Sequence, residues 1–171
     1  DQFYVVMKDF TQRFMDGHVS MTLNFDIFFE QVGGSMGLIL QELSDGRILV
    51  VDVWQDLPAD RAGIEVGAEI LEWGGMTAAD YLAQVYSPFG PYSTDHHLRR
   101  DQLVFMERSP MGTILEVKYR QPNGSVKTVE LQSEFDFYET LLAAMPIFQS
   151  DDLEPPVVTH SIEGVGYIKI N

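Results

Sequence analysis

The sequence predicts an α+β domain over residues 24–132, flanked by segments that belong to other parts of the protein. Three observations predict it: several short runs alternate with period two, other runs have helical periodicity, and glycine turns separate them. The 171 residues suffice for one full domain with appendages. The predicted order is strand, glycine loop, two strands, short helix, strand, helix and a final hairpin.

The composition excludes several classes of function. With 26 acidic against 11 basic residues, the net charge is −15, which opposes binding to nucleic acid or to an anionic membrane. The absence of cysteine excludes a disulfide scaffold and thiolate metal sites. No continuous apolar run reaches the roughly 18 residues of a bilayer span, so no membrane span is predicted.

The start of the chain predicts an amphipathic helix. Its apolar residues recur at helical spacing, namely Phe3, Val6, Met7, Phe10 and Phe14. Gly17 is a candidate left-handed C-cap that ends the helix. We expect the apolar face to dock on a neighbouring part of the protein.

Three strands are predicted next. From Asn24 the period drops to two, and Phe25, Ile27 and Phe29 indicate a half-buried strand. The runs "GLILQEL" and "RILVVDVW" predict two more strands, joined by a turn at residues 44–46 that carries the Asp-Gly pair typical of a tight hairpin.

The second half of the domain follows the order helix, strand, helix, hairpin. Pro58 suits the first position of a short helix that Gly63 closes, and "EILEW" predicts a short strand. The run "STDHHLRRDQLVFMERS" predicts a helix capped by Ser93 or Thr94. The runs "GTILEVKYR" and "SVKTVEL" predict the closing hairpin.

The composition of the chain changes after residue 132. Residues 133–160 become acidic and include Pro155 and Pro156, so they predict a linker with some local helix. The run "GVGYIKIN" predicts a buried strand with nothing left in the chain to pair with it. Since the chain also starts inside a helix, we expect a fragment cut at both ends.

The stretch "GGSMG" at residues 33–37 has two interpretations. It matches G-x-S-x-G, which seats a nucleophilic serine on a strand-to-helix turn. The same letters can form a glycine-rich loop that offers backbone N–H groups to an anion. Because the residues after Ser35 predict a strand and not a helix, the anion-binding loop is favoured, with an ordinary tight turn as the alternative.

A glycine loop followed by a strand suits the capture of a peptide end. A terminal carboxylate can bind the N–H groups of Met36, Gly37 and Leu38 while the preceding peptide residues add a strand alongside residues 38–40. Glycine is needed here because a Cβ would block the approach of the backbone to the ligand.

Two polar clusters are weaker candidates. Asp95, His96 and His97 contain metal-ligand types, but adjacent residues on a helix point about 100° apart, so a polar helix start is favoured. Asp16 and His18 could form a hydrolytic dyad, but a helix end with a structural histidine is favoured. No metal and no cofactor is predicted.

Three runs resemble the PDZ domain of C-terminal-processing (tail-specific) serine peptidases: "GGSMGLIL", "DLPADRAGIEVGAEILEWGG" and "LVFMERSPMGTILEVKYRQPNGSVKTVELQ". The residues on the family pattern are Pro58, Ala59, Arg61, Ala62, Gly63, Gly67, Ile70, Gly75, Arg108, Gly112 and Thr113. Ala68 and Ser109 depart from it, at turn positions that tolerate small residues. "FMDGHVSM" resembles the end of the family's N-terminal helical region, and "GVGYIKIN" resembles the first strand of its catalytic domain.

The resemblance implies a PDZ-like fold, a partly open β-barrel or sandwich of five to six strands with two helices. It divides the chain into the end of a helical region (1–23), the PDZ domain (24–132), a linker (133–160) and the first strand of a peptidase domain (161–171).

The resemblance also implies a parent enzyme, a serine endopeptidase whose serine nucleophile and lysine base lie beyond residue 171. No catalytic residue is therefore assigned to this chain. The expected partners are C-terminal segments of polypeptide substrates and the protein's own peptidase domain, and the expected location is periplasmic or secreted. The role implied for this part is to capture substrate and to gate proteolysis.

The predicted peptide-binding residues lie on two walls. The loop and strand contribute Ser35, Met36, Gly37, Leu38, Ile39 and Leu40. The helix contributes Leu98, Gln102 and Phe105. Two alternatives stay open: a non-catalytic PDZ-type interaction or scaffolding module, which sequence beyond Asn171 would distinguish, and a domain that only regulates by packing its own tail into the groove.

Overall fold

The structure is a computed structural model that describes residues 2–16, 18–19, 21–145, 157–162 and 165–170. Its helices are α1 Gln2–Gln12, α2 Phe25–Val32, α3 Pro58–Arg61, α4 Ala78–Gln84, α5 Asp95–Met106 and α6 Glu139–Ala144. Its strands are β1 Gly34–Ser35, β2 Leu38–Glu42, β3 Ile48–Val53, β4 Glu69–Trp73, β5 Met76–Thr77, β6 Arg108–Ser109, β7 Ile114–Arg120, β8 Val126–Gln132, β9 Val157–Ile162 and β10 Val165–Ile170. The predicted α+β, PDZ-like fold class is confirmed.

One antiparallel sheet organises the domain. Its strands run in the order β2-β3-β4-β7-β8, and the short β5 pairs with β4. Two smaller pairs, β1–β6 and β9–β10, lie outside this sheet. Strand β2 therefore lies at one edge, where a strand leaves N–H and C=O groups for another chain to pair with.

Several local predictions hold because their signals are local. Strands β2 and β3 are joined by the predicted turn, in which Gly46 has a φ of 85° and the backbone N–H of Leu43 donates to the Arg47 carbonyl at 2.8 Å. Pro58 begins α3. Thr94 caps α5, its side chain accepting a hydrogen bond from the backbone N–H of His97 at 3.2 Å.

Two apolar clusters hold the elements together. The main cluster lies between the sheet and α3–α5 and contains Trp73 and Tyr119, both fully buried. A second cluster joins α2, α5 and α6 through Phe28, Phe105 and Leu141. Each large apolar side chain buried in this way contributes roughly 1.5–3 kcal/mol. The second cluster therefore fixes α5 in position relative to α2.

Residues 25–32 form the helix α2, so the prediction of a strand here is wrong. The Asn24 side chain caps the helix by accepting hydrogen bonds from the N–H groups of Asp26 and Ile27, at 3.1 and 3.3 Å. Phe28 and Val32 lie one turn apart and are both buried. A run this short and rich in phenylalanine fits either period, and the cap together with burial of one face decides for the helix.

Helix α1 packs by its polar side. The predicted apolar face is largely exposed, with Phe3 at 74% and Phe10 at 53% exposure, so its predicted docking is not found among the described residues. Lys8 is instead buried, and its ammonium group donates to the Gly90 carbonyl at 2.8 Å. The helix ends at Gln12, before the predicted end, and the predicted cap Gly17 lies outside the described residues.

The final strand has a partner, so the prediction of an unpaired strand is wrong. Strand β10 pairs antiparallel with β9, which begins inside the segment predicted as a linker. Helix α6 is the local helix predicted for that segment. Among the described residues, no helix has both the length and the apolar character of a membrane span.

A candidate peptide-binding groove

A groove lies between the edge strand β2 and helix α5. Its volume is about 400 Å³, within the range of about 300–1,000 Å³ usual for ligand sites. Residues 38–44 line it along the strand. The helix contributes His96, Arg99, Arg100, Leu103, Val104 and Glu107, and α6 contributes Thr140 and Ala144. The groove thus joins a sheet edge to a helix face that mixes polar and apolar side chains.

The strand wall contains three of the predicted residues. Leu38, Ile39 and Leu40 all line the groove. Side chains alternate along a strand, and accordingly Leu38 and Leu40 are buried in the main core while Ile39 is half-buried. Their proposed role in binding a peptide backbone stays a prediction.

The helix wall is formed by a different face of α5 from the one predicted. The Gln102 amide donates to the Val85 carbonyl at 3.1 Å, and Phe105 is buried in the second cluster. Leu98 lines a separate cavity near α1. None of these three lines the groove, and the wall contains Arg99 and Leu103 instead. At 3.6 residues per turn the two faces lie about half a turn apart.

The signal that distinguishes the two faces is present in the sequence but easily misread. Positions 96, 99, 103 and 107 recur at spacings of three or four and mix polar with apolar residues. Positions 98, 102 and 105 look like an apolar wall, but an apolar helix face is more often buried against the core. A groove wall that contacts both solvent and ligand has the mixed composition.

The N–H groups of the glycine loop bind a carboxylate from within the chain. The backbone N–H groups of Met36 and Gly37 donate to Oε2 of Glu107 at 2.8 and 3.2 Å. The hydroxyl of Ser35 donates to the same oxygen at 2.8 Å. The loop therefore has the geometry of an anion site, and the anion that it holds is Glu107, which the sequence reasoning did not single out.

Ser35 is not placed as a nucleophile. Its side chain is fully buried, and its hydroxyl contacts Glu107 and Thr140, at 2.8 and 3.1 Å. Strand β2 follows it, where a nucleophile elbow requires a helix. The G-x-S-x-G match is therefore a loop, as the sequence context predicted.

Arg108 holds a buried charge network beneath the loop. Its side chain has no exposed area, and its guanidinium group donates to Asp136 at 2.8 and 3.2 Å and to Thr140 at 2.8 Å. The Arg108 Nε–H donates to the Val32 carbonyl at 2.9 Å. The network therefore ties the end of α2 to the segment that leads into α6.

The pKa values of the two buried carboxyl groups in this network, Glu107 and Asp136, are shifted in opposite directions. Burial raises the pKa of Glu107, and the opposing charge of Arg108 with the hydrogen bonds from Ser35 and Met36 does not cancel the effect. Burial also favours the neutral form of Asp136. There the hydrogen bonds from Arg108 and Thr140 outweigh burial, so the pKa of Asp136 is lowered.

An ion pair joins the two walls of the groove. The guanidinium group of Arg99 binds the Glu42 carboxylate in a bidentate manner, with Nε–Oε2 at 2.8 Å and Nη2–Oε1 at 2.7 Å. The hydrogen bonds from Arg99 lower the pKa of Glu42 in spite of its partial burial. The pair therefore connects α5 to β2 across the groove.

We expect Glu42→Gln to lower the free energy of unfolding by about 0.5–1 kcal/mol near neutral pH. A lowered folded-state pKa gives stability that is present above the unfolded-state value of about 4.3 and is lost as the pH falls through the folded-state value. The difference from wild type should therefore shrink as the pH falls below about 4.3. Urea denaturation of both proteins across this range measures it, and an unchanged difference in acid would contradict the assignment.

Of the two polar clusters considered from the sequence, the histidine pair of α5 does not converge on one site, and the other forms only an exposed pair. His96 lines the groove, whereas the His97 ring packs against Tyr92 with ring centres 5.0 Å apart. His18 lies 2.9 Å from Asp16 on the surface. Within the described part of the chain, no three histidine, aspartate or glutamate side chains are placed to hold a metal ion.

Comparisons with known proteins give matches in shape alone. No family model and no curated protein matches the sequence. Among solved structures, a CPAF mutant shares 22% identity at a TM-score of 0.49, and the match covers 60% of this chain and 19% of that chain. The photosystem II D1 C-terminal processing protease shares 15% identity at a TM-score of 0.43, covering 60% and 23%.

A third similar structure is the PDZ domain of a carboxy-terminal protease from Vibrio cholerae in complex with peptide. It shares 14% identity at a TM-score of 0.41, and the match covers 59% of this chain and 93% of that domain. This chain thus corresponds to about a fifth of the length of the two protease chains. All three TM-scores are below 0.5, so the functional argument depends on the groove itself.

Proposed function

We propose that this chain is the peptide-binding part of a serine endopeptidase of the C-terminal-processing family, and that its groove captures polypeptide segments for cleavage. The observation that carries the proposal is the groove between a free sheet edge and a helix. An extended peptide can add to β2 through main-chain hydrogen bonds, while Ile39 and Leu103 provide apolar contacts for its side chains.

The protease context comes from the resemblance in sequence. The motif residues Arg61, Gly63 and Arg108 lie where the resemblance expects them, in a short helix, in a turn and after a helix. In this proposal the serine and lysine of the active site belong to a peptidase domain outside this chain. Binding of polypeptide segments in the groove would control their access to that domain, outside the cytoplasm.

We expect Leu103→Asp to weaken the binding of extended, apolar peptides by about tenfold or more, because it replaces an apolar side chain of the helix wall with a charge. Leu98→Asp is the matched control: it makes the same change on the same helix, but in a different cavity. It should change the affinity by no more than about twofold.

Fluorescence anisotropy with labelled peptides measures both affinities, and circular dichroism shows that each variant is folded. Equal affinity of the wild type and Leu103→Asp would contradict the proposed site. A larger loss in Leu98→Asp than in Leu103→Asp would assign binding to the other face of α5.

A further inference from the structure

We propose that Glu107 occupies the place of a ligand carboxylate, so that the groove binds extended internal segments and does not read a free C-terminus. This inference rests on the peptide-binding function proposed above and specifies its substrate class. It concerns the end of the groove at the glycine loop, where Glu107 and Leu38 are both lining residues.

Two of the three N–H donors that a terminal carboxylate would use, those of Met36 and Gly37, are already engaged. A backbone N–H group supplies one hydrogen, and those of Met36 and Gly37 both point to Oε2 of Glu107. The Gly37 N–H group is also 2.9 Å from the Ser35 hydroxyl oxygen. A second carboxylate at this position would find two of its three donors used and would lie against the Glu107 carboxyl group.

The second carboxyl oxygen of Glu107, Oε1, also has partners. It lies 3.5 Å from Nη1 of Arg108 and 3.5 Å from the hydroxyl of Thr140. The Glu107 side chain is only 3% exposed. Since Arg108 is fixed by Asp136 and by the Val32 carbonyl, displacement of Glu107 would separate a buried carboxylate from its partners.

The other cations that line the groove do not offer a replacement anion site. Arg99 is bound by Glu42 in the bidentate pair. Arg100 lies 3.2 Å from the Asp101 carboxylate. An uncharged chain at the loop end therefore has the more favourable electrostatics, and the continuing backbone of an internal segment is uncharged. The substrate class that fits is an extended, apolar internal segment.

Paired peptides test this directly. Each apolar peptide is prepared as the free acid and as the C-terminal amide, and both are titrated into the wild type, Glu107→Gln, Glu107→Ala and the control Glu130→Gln. Glu130 is exposed on β8, away from the groove. We expect the wild type and the control to bind acid and amide within about twofold of each other. In Glu107→Ala the acid should gain about tenfold or more over the amide, because the two loop N–H groups become available. Glu107→Gln should show a smaller gain, because its amide oxygen can accept the same hydrogen bonds.

A second measurement tests the anion site without a peptide. Thermal unfolding of Glu107→Ala is followed in sodium formate and in sodium chloride at equal ionic strength. We expect formate to raise the melting temperature of this variant above its value in chloride, because formate can restore a carboxylate to the loop. The wild type and Glu130→Gln should show no difference between the two salts.

The outcomes separate this inference from the proposed function. A wild type that prefers the free acid by about tenfold would overturn the role of Glu107 and leave peptide binding intact. So would an unchanged acid-to-amide ratio in folded Glu107→Ala. Absence of binding to every peptide would overturn the proposed function and this inference with it. If Glu107→Ala does not fold, the acid-to-amide ratio of the wild type decides the question.

Discussion

Replacing Arg108 with methionine is expected to lower the free energy of unfolding by about 3–5 kcal/mol. Methionine keeps much of the side-chain length but leaves Asp136 without its cation. The Asp136 side chain is 1% exposed, so its charge cannot be solvated in the folded state. Breaking a buried ion pair from one side is costly for this reason, even where the intact pair adds little.

Chemical denaturation measures the loss, and two comparisons identify its cause. Arg47→Met removes an ion pair with Asp45 in which both side chains are about half exposed, and it should cost far less stability than Arg108→Met. Adding Asp136→Leu to Arg108→Met should recover part of the stability, because it removes the unpaired charge. If Arg108→Met and Arg47→Met lost the same amount, Arg108 would not hold a buried network.

Replacing Phe105 with alanine is expected to cost about 3–5 kcal/mol of stability, because it opens a cavity in the second cluster. The Phe105 ring is 2% exposed and packs edge-to-face on Phe28 and Phe89, with ring centres 6.3 and 5.1 Å apart. If Phe105 instead lined the groove wall, as the sequence analysis predicted, its truncation would lower peptide affinity with little effect on folding. Denaturation and peptide titration of the same variant therefore distinguish the two roles.

Leu103→Ala is the comparison for Phe105→Ala. Leu103 is half-buried and lines the groove, so its truncation should reduce peptide affinity and cost less stability than truncation of Phe105. The expected pattern is thus a large stability loss for Phe105→Ala and a selective affinity loss for Leu103→Ala. The reverse pattern would indicate that peptides bind the other face of α5, the one that the sequence analysis predicted.

The glycine loop shows which part of the site could be predicted from the sequence and which part could not. Its letters and the strand after it predicted backbone N–H groups turned toward an anion, and the structure has a carboxylate at those groups. The anion comes from Glu107, which is 70 residues further along the chain than Gly37. One sequence contains no signal for that contact, since it exists only when α5 ends beside the loop.

Helix α5 shows the same limit of prediction for the helix face that lines the groove. The sequence located the helix and offered Ser93 or Thr94 as its cap, because an N-cap is a signal between near neighbours, and the structure has Thr94 in this position. It did not show which face meets the groove. That depends on the position of α2 and its Phe28, which pack against Phe105 from another part of the chain.

The sequence by itself determined the α+β class, the strands of the main sheet and the turns between them. These follow from periods of two, from glycine conformations and from Pro58, all of which act over a few residues. Tertiary structure alone decided which face of α2 is buried and that Glu107 fills the loop. Both depend on contacts between residues distant in sequence, and the free energy of such contacts exists only once the chain has folded.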